Sequence, residues 1–443
     1  MKNISRRNFL ITTGISGIAL NMNLTMRADE ADLSKLPRFA VISDTHFENK
    51  RGEGAKIKVP KALKNLLSKK PTIDAIFVVG DLTNRGTLAE YEQLVTTFND
   101  KNLVPKETAV YFMMGYNHDR SSSNTQEAVT TLKGQPATSA QRNYLEKTNQ
   151  PLHQYVEIKG YPFITISEGG SAESPYNNTV KQFLAEKLED AAKKYAGKPI
   201  FVFTHVPPLN TCYGSLRHEG WGTNVFLPIL NQYPQAIVFS GHSHFPVGDP
   251  RSIHQDKFTT INVGSTTYSE VEPKIVNDGI HPDKCAFVTE GVIANVLTDG
   301  KIEIERWDTY RDEEILPRWT INAPHDGNNF TYKNRDGLPA PVFAKDAKPI
   351  VRVEGKSCHV TFPQAVDNEV VHHYIVEILS DEQVIASFSK FSMFYLNSAT
   401  PKELTVTFKN LPEEKILSAQ VKAIDSYKNQ SQPIKSETFT ITK

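Results

Sequence analysis

The sequence has few of the features that mark specialised protein classes. Its 443 residues include three cysteines, Cys212, Cys285 and Cys358, which are too few and too far apart for a disulfide framework. We expect them to be small buried hydrophobes. Lys plus Arg and Asp plus Glu each number 50, so no charge surplus exists for wrapping a nucleic-acid backbone. Gly and Pro, at 24 and 26, exclude a fibrous or low-complexity chain. An ordinary globular composition remains, and the length predicts two or three domains.

The N-terminal segment has the order of regions of an export signal. A basic start leads into a weakly apolar stretch, from about Phe9 to Met26, that is too short and too polar for a good membrane span. The run Ser-Arg-Arg-Asn-Phe-Leu is similar to the twin-arginine signal. Residues 1–28 are therefore expected to be a twin-arginine export signal, with an ordinary secretory signal or a disordered basic tail as alternatives. This predicts a periplasmic bacterial protein, exported folded and with its metals, without a transmembrane anchor in the mature chain.

Residues 37–308 alternate apolar runs with helical stretches. The runs are continuous and rich in β-branched and aromatic residues, which indicates strands covered on both faces. They are Phe39–Ser43, Ala75–Val79, Ala109–Met113, Phe163–Ile166, Ile200–Phe203 and Ala236–Phe239, followed by Thr259–Val263, Ala286–Leu297 and Ile302–Trp307. Helices are predicted at about Lys61–Lys69, Leu88–Phe98 and Thr179–Tyr195. The pattern predicts an α/β layered domain that ends in consecutive strands.

The last third of the chain changes character. Residues 309–344 are rich in Pro, Asn, Asp and Gly and are predicted to be a linker and edge segment. Residues 345–443 contain about seven β-type runs and no long helical pattern, which predicts a small all-β immunoglobulin-like sandwich. Tyr374–Ile378 and Ala419–Ala423 resemble strands C and F of a fibronectin type III domain. Phe362 and Leu417 depart from that family, which usually has Trp and Tyr there.

Residue types that bind metals follow the ends of the predicted strands. They are Asp44 and His46, Asp81, the run Asn117-His118-Asp119, His205, and the pair His242 and His244. In an open α/β sheet, residues just past the strand ends converge in one crevice. Asp, Asn and His without Cys favour Mn, Fe or Zn. The set provides enough ligands for two divalent ions, the arrangement used for displacement at phosphorus.

This order of motifs resembles the calcineurin-like metallophosphoesterase superfamily. The resemblance covers about Arg38 to His244 and implies a four-layer α/β/β/α sandwich. It implies that Asp44, His46, Asp81 and His244 hold one metal ion, and that Asp81, Asn117, His205 and His242 hold the other. A hydroxide between the metals would attack phosphorus, His118 would be the general acid, and Asp119 would orient His118.

Two positions near these motifs are informative. One departs from the usual pattern of the superfamily, and the other indicates which branch of it the chain resembles. Tyr116 stands directly before Asn117, where the family usually has Gly, and Gly115 is displaced by one position. Tyr116 therefore either changes the turn or packs along the cleft. Asn84 occupies the place of a metal-bound Tyr in purple acid phosphatases. The run from Gly80 to Gly86 looks more like the class III cyclic-nucleotide phosphodiesterase branch.

Substrate contacts are expected in irregular segments next to the motifs. The segments are Arg120–Gly160 and Val206–Gly222, since loops on a rigid scaffold commonly carry binding residues. Candidate contacts are Arg85, Tyr116 and His218, each with an ordinary surface or packing role as the alternative.

The leading hypothesis is an exported two-metal hydrolase of a phosphodiester or a phosphomonoester, between which the residues do not decide. The alternative is a catalytically weak or inactive protein of the same fold that acts as a binding or adhesion module. In that case the C-terminal sandwich would bind a glycan or a partner, although it could instead only brace the catalytic domain.

Overall fold

The computed structural model describes residues 33–48, 50–115, 117–120, 130–132, 135–137, 139–168, 176–272, 275–277, 279–333 and 337–441. The predicted export signal and Tyr116 lie outside these ranges. Helices occur at α1 (Ala55–Leu67), α2 (Leu88–Asn99), α3 (Ser139–Thr148), α4 (Asn178–Lys194) and α5 (Leu227–Leu230). Short 3-10 turns occur at His118–Arg120, Pro250–Ser252, Cys285–Phe287 and Phe394–Ala399. Within the described ranges, no helix is both long enough and apolar enough to cross a membrane.

Two six-stranded mixed sheets form the first domain. Their strands are β1 (Arg38–Ile42), β2 (Ala75–Val79), β3 (Ala109–Met113), β6 (His153–Ile158), β7 (Tyr161–Ile166), β8 (Ile200–Thr204), β9 (Ala236–Ser240), β10 (Ile253–Gln255), β11 (Thr259–Asn262), β12 (Glu290–Val296), β13 (Ile302–Asp308) and β14 (Glu313–Ile321). A separate small hairpin pairs β4 (Thr130–Leu132) with β5 (Gln135–Ala137). One sheet has the order β14-β13-β12-β1-β2-β3 and the other β10-β11-β9-β8-β7-β6. The neighbours β1, β2 and β3 run parallel, as do β7, β8, β9 and β11.

The sheets pack face to face, with helices on their outer faces. Along β1, Phe39 and Val41 enter the core between the sheets, whereas Ala40 and Ile42 enter the core beneath α1 and α2. This follows from the two-residue period of a strand, and it explains why the strand is apolar at every position. Helix α4 covers the other sheet through Val180, Leu184 and Leu188. The predicted α/β/β/α layering is confirmed.

The C-terminal domain is a β-sandwich. Its strands are β15 (Ile350–Glu354), β16 (Ser357–Pro363), β17 (Val371–Ser380), β18 (Gln383–Phe391), β19 (Glu403–Phe408), β20 (Leu417–Asp425) and β21 (Ile434–Lys435). They form a three-stranded sheet, β15-β16-β19, and a four-stranded sheet, β18-β17-β20-β21. In β16, Cys358, Val360 and Phe362 alternate inward with partly exposed residues. The predicted all-β C-terminal part of the fold is confirmed.

The two domains share a core and a polar boundary. Val271, Val276 and Val288, from the first domain, belong to the buried cluster inside the sandwich. Polar contacts cross the boundary from Ser426 Oγ to Asp249 Oδ2 at 2.9 Å, from Tyr395 OH to the Asp283 carbonyl at 3.1 Å, and from His372 Nε2 to Glu272 Oε2 at 3.2 Å. The sandwich is therefore packed against the first domain and is not merely joined to it by a flexible linker.

Several elements lie where the sequence predicted irregular chain. Helix α3 and strand β6 fall within Arg120–Gly160, and β14 falls within the predicted linker and edge segment. Strand β14 pairs antiparallel with β13 and forms the edge of the first sheet. Cys212, Cys285 and Cys358 are buried and free, as expected from their spacing.

Candidate metal centre

The strand ends bring six of the predicted ligands together. Asp44 and His46 follow β1, Asp81 follows β2, His205 follows β8, and His242 and His244 follow β9. One group joins Asp44, His46, Asp81 and His244, and a second joins Asp81, His205 and His242. Within each group the candidate ligand atoms all lie within 4.8 Å of one another. Asp81 belongs to both groups, which is the geometry expected of a bridging carboxylate.

Carboxylate oxygens and imidazole nitrogens face each other in these groups. His244 Nε2 lies 3.1 Å from Asp44 Oδ1, and His205 Nε2 lies 3.3 Å from Asp81 Oδ1. His46 Nε2 lies 3.1 Å from His244 Nε2 and 3.7 Å from Asp81 Oδ2. Ring nitrogens from separate strands thus converge on the same two carboxylates.

Backbone carbonyls orient two of the histidines. His205 Nδ1 lies 2.8 Å from the Val79 carbonyl, and His244 Nδ1 lies 3.0 Å from the Tyr268 carbonyl. A carbonyl oxygen only accepts, so each Nδ1 donates and each Nε2 is left to face the carboxylates. This arrangement is common for histidines that bind metals.

The backbone at the ligands has an unusual conformation. Asp44, His46, Asp81, His242 and His244 have φ values between 41° and 72°, in the left-handed region. Residues other than glycine rarely adopt this region, and such conformations cluster at functional sites. Two hydrogen bonds hold it here: Asp44 N donates to the Gly80 carbonyl at 3.1 Å, and His46 N to the Asp81 carbonyl at 2.9 Å. The loops after β1 and β2 therefore fix one another.

Two glycines permit the close packing. Gly80 has φ 78°, and a Cβ there would collide with the His205 ring. A Cβ on Gly115 would collide with the backbone and carboxylate of Asp81. The space beside Asp81 therefore requires glycine at position 115, directly before Tyr116.

Burial and mutual attraction set the protonation of the site. Burial alone would raise the pKa of Asp44, but His244 beside it holds that pKa well below its usual value. Burial would likewise raise the pKa of Asp81, which His205 instead lowers. Burial lowers the pKa of His242 to about 3, with His205 adding to the effect. The two buried carboxylates are therefore ionised, and they in turn raise the pKa of the His205 and His244 rings, which burial alone would lower.

The residues fit divalent metal ions. Asp44 Oδ1 and Asp81 Oδ1 are buried and make no hydrogen bond within the described ranges, as is also true of His46 Nδ1. Buried carboxylate oxygens that lack hydrogen bonds are costly, and cations placed between the two groups would satisfy them. The nitrogen and oxygen donors are those that divalent first-row metals accept.

His118 lies next to the ligands and is held by the backbone. Its ring centroid is 4.5 Å from that of His46, with the two planes nearly perpendicular. His118 Nδ1 donates to the Asn84 carbonyl at 3.2 Å, which leaves Nε2 available for proton transfer. No sequence motif indicates this carbonyl, because any residue at position 84 has one.

The structure gives Asp119 a different set of partners from the predicted one. Its Oδ2 accepts from Leu82 N at 3.1 Å and Gly115 N at 2.7 Å, and its Oδ1 accepts from Thr83 N and Thr83 Oγ1. Burial and the nearby Asp81 carboxylate raise the pKa of Asp119 to about 6. Asp119 thus braces the loop after β2, and the hydrogen bond described for the His118 ring is the one to the Asn84 carbonyl.

The remaining predicted residues that the structure describes are exposed. Asn117 is one of them. Arg85 is exposed beside Asn84 and lines an open cavity. His218 lines a different cavity, at the boundary with the sandwich. Tyr116 falls outside the described residues.

Aromatic rings border the ligands. The Tyr268 ring lies 4.3 Å from the His244 ring, and the Trp221 ring lies 5.2 Å from the His242 ring. Trp221 belongs to the predicted substrate segment Val206–Gly222. Tyr268 follows β11 outside any motif, so sequence reasoning missed it.

Comparison with known proteins identifies the first domain. Residues 37–246 match the calcineurin-like phosphoesterase family. They form a calcineurin-like phosphoesterase domain. The chain therefore carries a metal-dependent phosphoric ester hydrolase domain. The cluster of carboxylates and imidazoles is a group that could hold its metal ions.

Individual relatives cover parts of the chain. A probable glycerophosphodiester phosphodiesterase GpdQ of Arcobacter nitrofigilis is 24% identical over 212 residues, or 46% of this chain and 70% of the relative. The purple acid phosphatase PPD1 of yellow lupin aligns with 65% of this chain at 13% identity and a TM-score of 0.47. The chain spans 54% of that phosphatase. Domains FN1–FN3 of chicken CNTN1 align with 35% of this chain and 41% of their own length, at 12% identity and a TM-score of 0.19.

Proposed function

We propose that this protein is an exported phosphoesterase that uses two divalent metal ions to hydrolyse a phosphodiester or a phosphomonoester. The observation that carries the proposal is the presence of Asp81 in both ligand groups, since one bridging carboxylate serves two adjacent ions. Mn, Fe and Zn suit the donor set. Export rests on the twin-arginine-like sequence of residues 1–28, and a fibronectin type III-like character of the sandwich rests on its strand motifs.

The protein's own groups have distinct tasks in this reaction. The metal ions, when bound, supply Lewis acidity and a nucleophile at neutral pH. Asp44, His46, Asp81, His205, His242 and His244 would hold them. Asn117 is the further ligand that the family resemblance implies. His118 Nε2 delivers a proton to the leaving alkoxide, a task typically worth 10²–10⁴-fold in rate. The Asn84 carbonyl fixes which His118 nitrogen faces the substrate.

Metal analysis and turnover of two aryl esters test the proposal. Purified protein is loaded with Mn, Fe or Zn and assayed with bis-p-nitrophenyl phosphate and with p-nitrophenyl phosphate, which also compares diester with monoester. Asp81→Ala should lose bound metal and turnover together, because it removes the carboxylate shared by both groups. Asp346→Ala, at an exposed position, is the matched control. Wild-type protein that binds no metal and hydrolyses neither ester would overturn the proposal.

Cell fractionation tests export separately. The full chain should reach the periplasm of a bacterial host that has the twin-arginine pathway. Replacing Arg6 and Arg7 by Lys should retain it in the cytoplasm, whereas replacing Lys2 by Arg should not. Periplasmic delivery of the double variant would contradict the twin-arginine assignment.

A further inference from the structure

We propose that an open cavity beside His118 selects phosphoric esters whose leaving alcohol carries a further negative charge. The inference rests on the proposed function, because it names the substrate class of the same site. The cavity has a volume of about 700 Å³, and its lining includes three basic side chains, Lys50, Arg51 and Arg85. Its size is in the range of small-molecule binding sites.

Two residues that line the cavity also contact the surroundings of the metal centre. Asn84 lines the cavity, and its carbonyl accepts the hydrogen bond from His118 Nδ1. The Arg51 guanidinium lies 4.1 Å from the centroid of the Tyr268 ring, which in turn lies 4.3 Å from the His244 ring. The cavity therefore begins on the side of the centre where His118 stands.

The acidic residues of the lining are already engaged. Glu90 is buried, and its Oε2 accepts from Arg85 N, Thr87 N and Thr87 Oγ1. Glu48 pairs with Lys56 at 2.9 Å and accepts from Gln93. These carboxylates are therefore neutralised or used as helix caps, and they oppose an anion less than free carboxylates would.

The basic residues of the lining differ in their contacts. Lys50 and Arg85 are exposed, and neither is in an ion pair within the described ranges. Arg51 is anchored by Tyr268, and its Nη1 lies 3.9 Å from Glu270 Oε1. Arg51 thus lies beside a carboxylate, and the exposed Lys50 and Arg85 supply the positive charge that attracts an anion.

The side of the centre fixes which part of the substrate enters the cavity. In hydrolysis, the P–O bond to the leaving oxygen breaks, a P–O bond to the oxygen of water forms, and the leaving alkoxide takes a proton. His118 supplies that proton, so the leaving alcohol must lie beside His118. A carboxylate or phosphate on that alcohol would then lie near Lys50, Arg51 and Arg85 and be attracted by their positive charge. An uncharged alcohol would not gain this attraction.

A matched pair of diesters tests this inference on the full metal-loaded protein. One is 4-carboxyphenyl methyl phosphate and the other is 4-carbamoylphenyl methyl phosphate, which have the same shape but differ in one charge. Methoxide is a poor leaving group, so the aryl oxygen leaves in both. The measured quantity is the ratio of their kcat/KM values, carboxylate over amide, each corrected by its rate in hydroxide alone. We expect a ratio of about ten for the wild-type protein, which falls as salt is added.

Variants at the exposed cations locate the effect. Lys50→Gln combined with Arg85→Gln should bring the ratio towards one, and Lys50→Glu should lower it further than Lys50→Gln. Lys106→Gln, an exposed lysine outside this cavity, is the matched control and should keep the wild-type ratio.

The outcomes separate the inference from the proposed function. Hydrolysis of both esters at a ratio near one, or a ratio that the double variant does not change, would overturn the inference alone. Hydrolysis of bis-p-nitrophenyl phosphate or p-nitrophenyl phosphate, but of neither matched diester, would also overturn the inference alone. Hydrolysis of none of the four esters with any of the three metals would overturn the proposed function, and the inference with it.

Discussion

Single residues hold the candidate site through backbone contacts as much as through side chains. Asp119 illustrates this, because one buried carboxylate accepts hydrogen bonds from three backbone N–H groups that belong to two loops. The sequence predicted a role for Asp119 from its motif, but it could not reveal which groups the carboxylate contacts. The left-handed backbone at the ligands is equally invisible in the sequence, since Asp and His adopt it more often than most residues but still in only a small minority of positions.

Substitution of Asp119 should destabilise the fold as well as slow turnover. Asp119→Ala leaves the N–H groups of Leu82, Thr83 and Gly115 without their acceptor, which should lower the free energy of unfolding by about 2–4 kcal/mol. Asp119→Asn keeps an acceptor oxygen and should cost less. Urea unfolding measures both, with Asp346→Asn as the exposed control. Equal stability of Asp119→Ala and wild type would show that the loop is held by other contacts.

Buried Glu290 should make stability depend on pH. Its Oε2 accepts from Val247 N at 2.8 Å, and burial raises the pKa of Glu290 to about 8 from a model-peptide value of 4.5. Between pH 4.5 and pH 8 the Glu290 carboxyl is protonated in the folded protein more often than in the unfolded chain. Its contribution to the free energy of unfolding is therefore fully present below about pH 4.5 and is lost as the pH rises to 8.

The variant Glu290→Gln removes this titration while retaining an acceptor for Val247 N. Its stability relative to wild type should therefore increase steadily between about pH 5 and pH 8, by an amount on the order of a few kcal/mol. Thermal unfolding across that range measures the difference, and Glu107→Gln at an exposed position is the control. A difference that does not change with pH would contradict the assignment.

At the scale of secondary structure, the strands that carry the site were the most predictable elements. Strands β2 and β3 begin and end as predicted, because uninterrupted apolar runs bounded by polar residues have few other interpretations. Helix α3 was missed because its sequence is mostly polar and only Tyr144 and Leu145 supply large buried apolar groups. The last of the seven β-type runs, Thr438–Thr442, is present only as an antiparallel bridge between Phe439 and Leu417, and strand β21 forms earlier, at Ile434–Lys435. Thr442 lies outside the described residues.

Helix α2 offers a prediction at this scale. Thr87 caps its N-terminus, with Thr87 Oγ1 accepting from Glu90 N and the Glu90 carboxylate accepting from Thr87 N. Thr87→Ala should lower the free energy of unfolding by about 1 kcal/mol. Thr96→Ala, at an exposed position inside the same helix, should be neutral or slightly stabilising, because Ala favours helix more than Thr. Denaturant unfolding of both variants measures the contrast, and equal effects would exclude a capping role.

For the whole molecule, the shared core predicts that the domains unfold together. Deleting residues 345–443 would expose Val271, Val276 and Val288 and would remove His372, one of the partners of Glu272. We therefore expect the truncated chain to lose both stability and turnover, and the full chain to show one cooperative thermal transition. Two separate transitions, or a truncated chain that retains wild-type turnover, would show that the sandwich is an independent module. Its packing against the first domain was beyond sequence prediction, because spacing along the chain does not say which apolar side chains meet.

The same shared core sets an order of events during synthesis. The chain from Val271 to Val288 leaves the ribosome before any strand of the sandwich that covers it. Until the sandwich emerges, those apolar side chains stay open to water and to other nascent chains. Translation that stops within the last domain would therefore yield an aggregation-prone fragment that contains every candidate ligand residue of the metal centre.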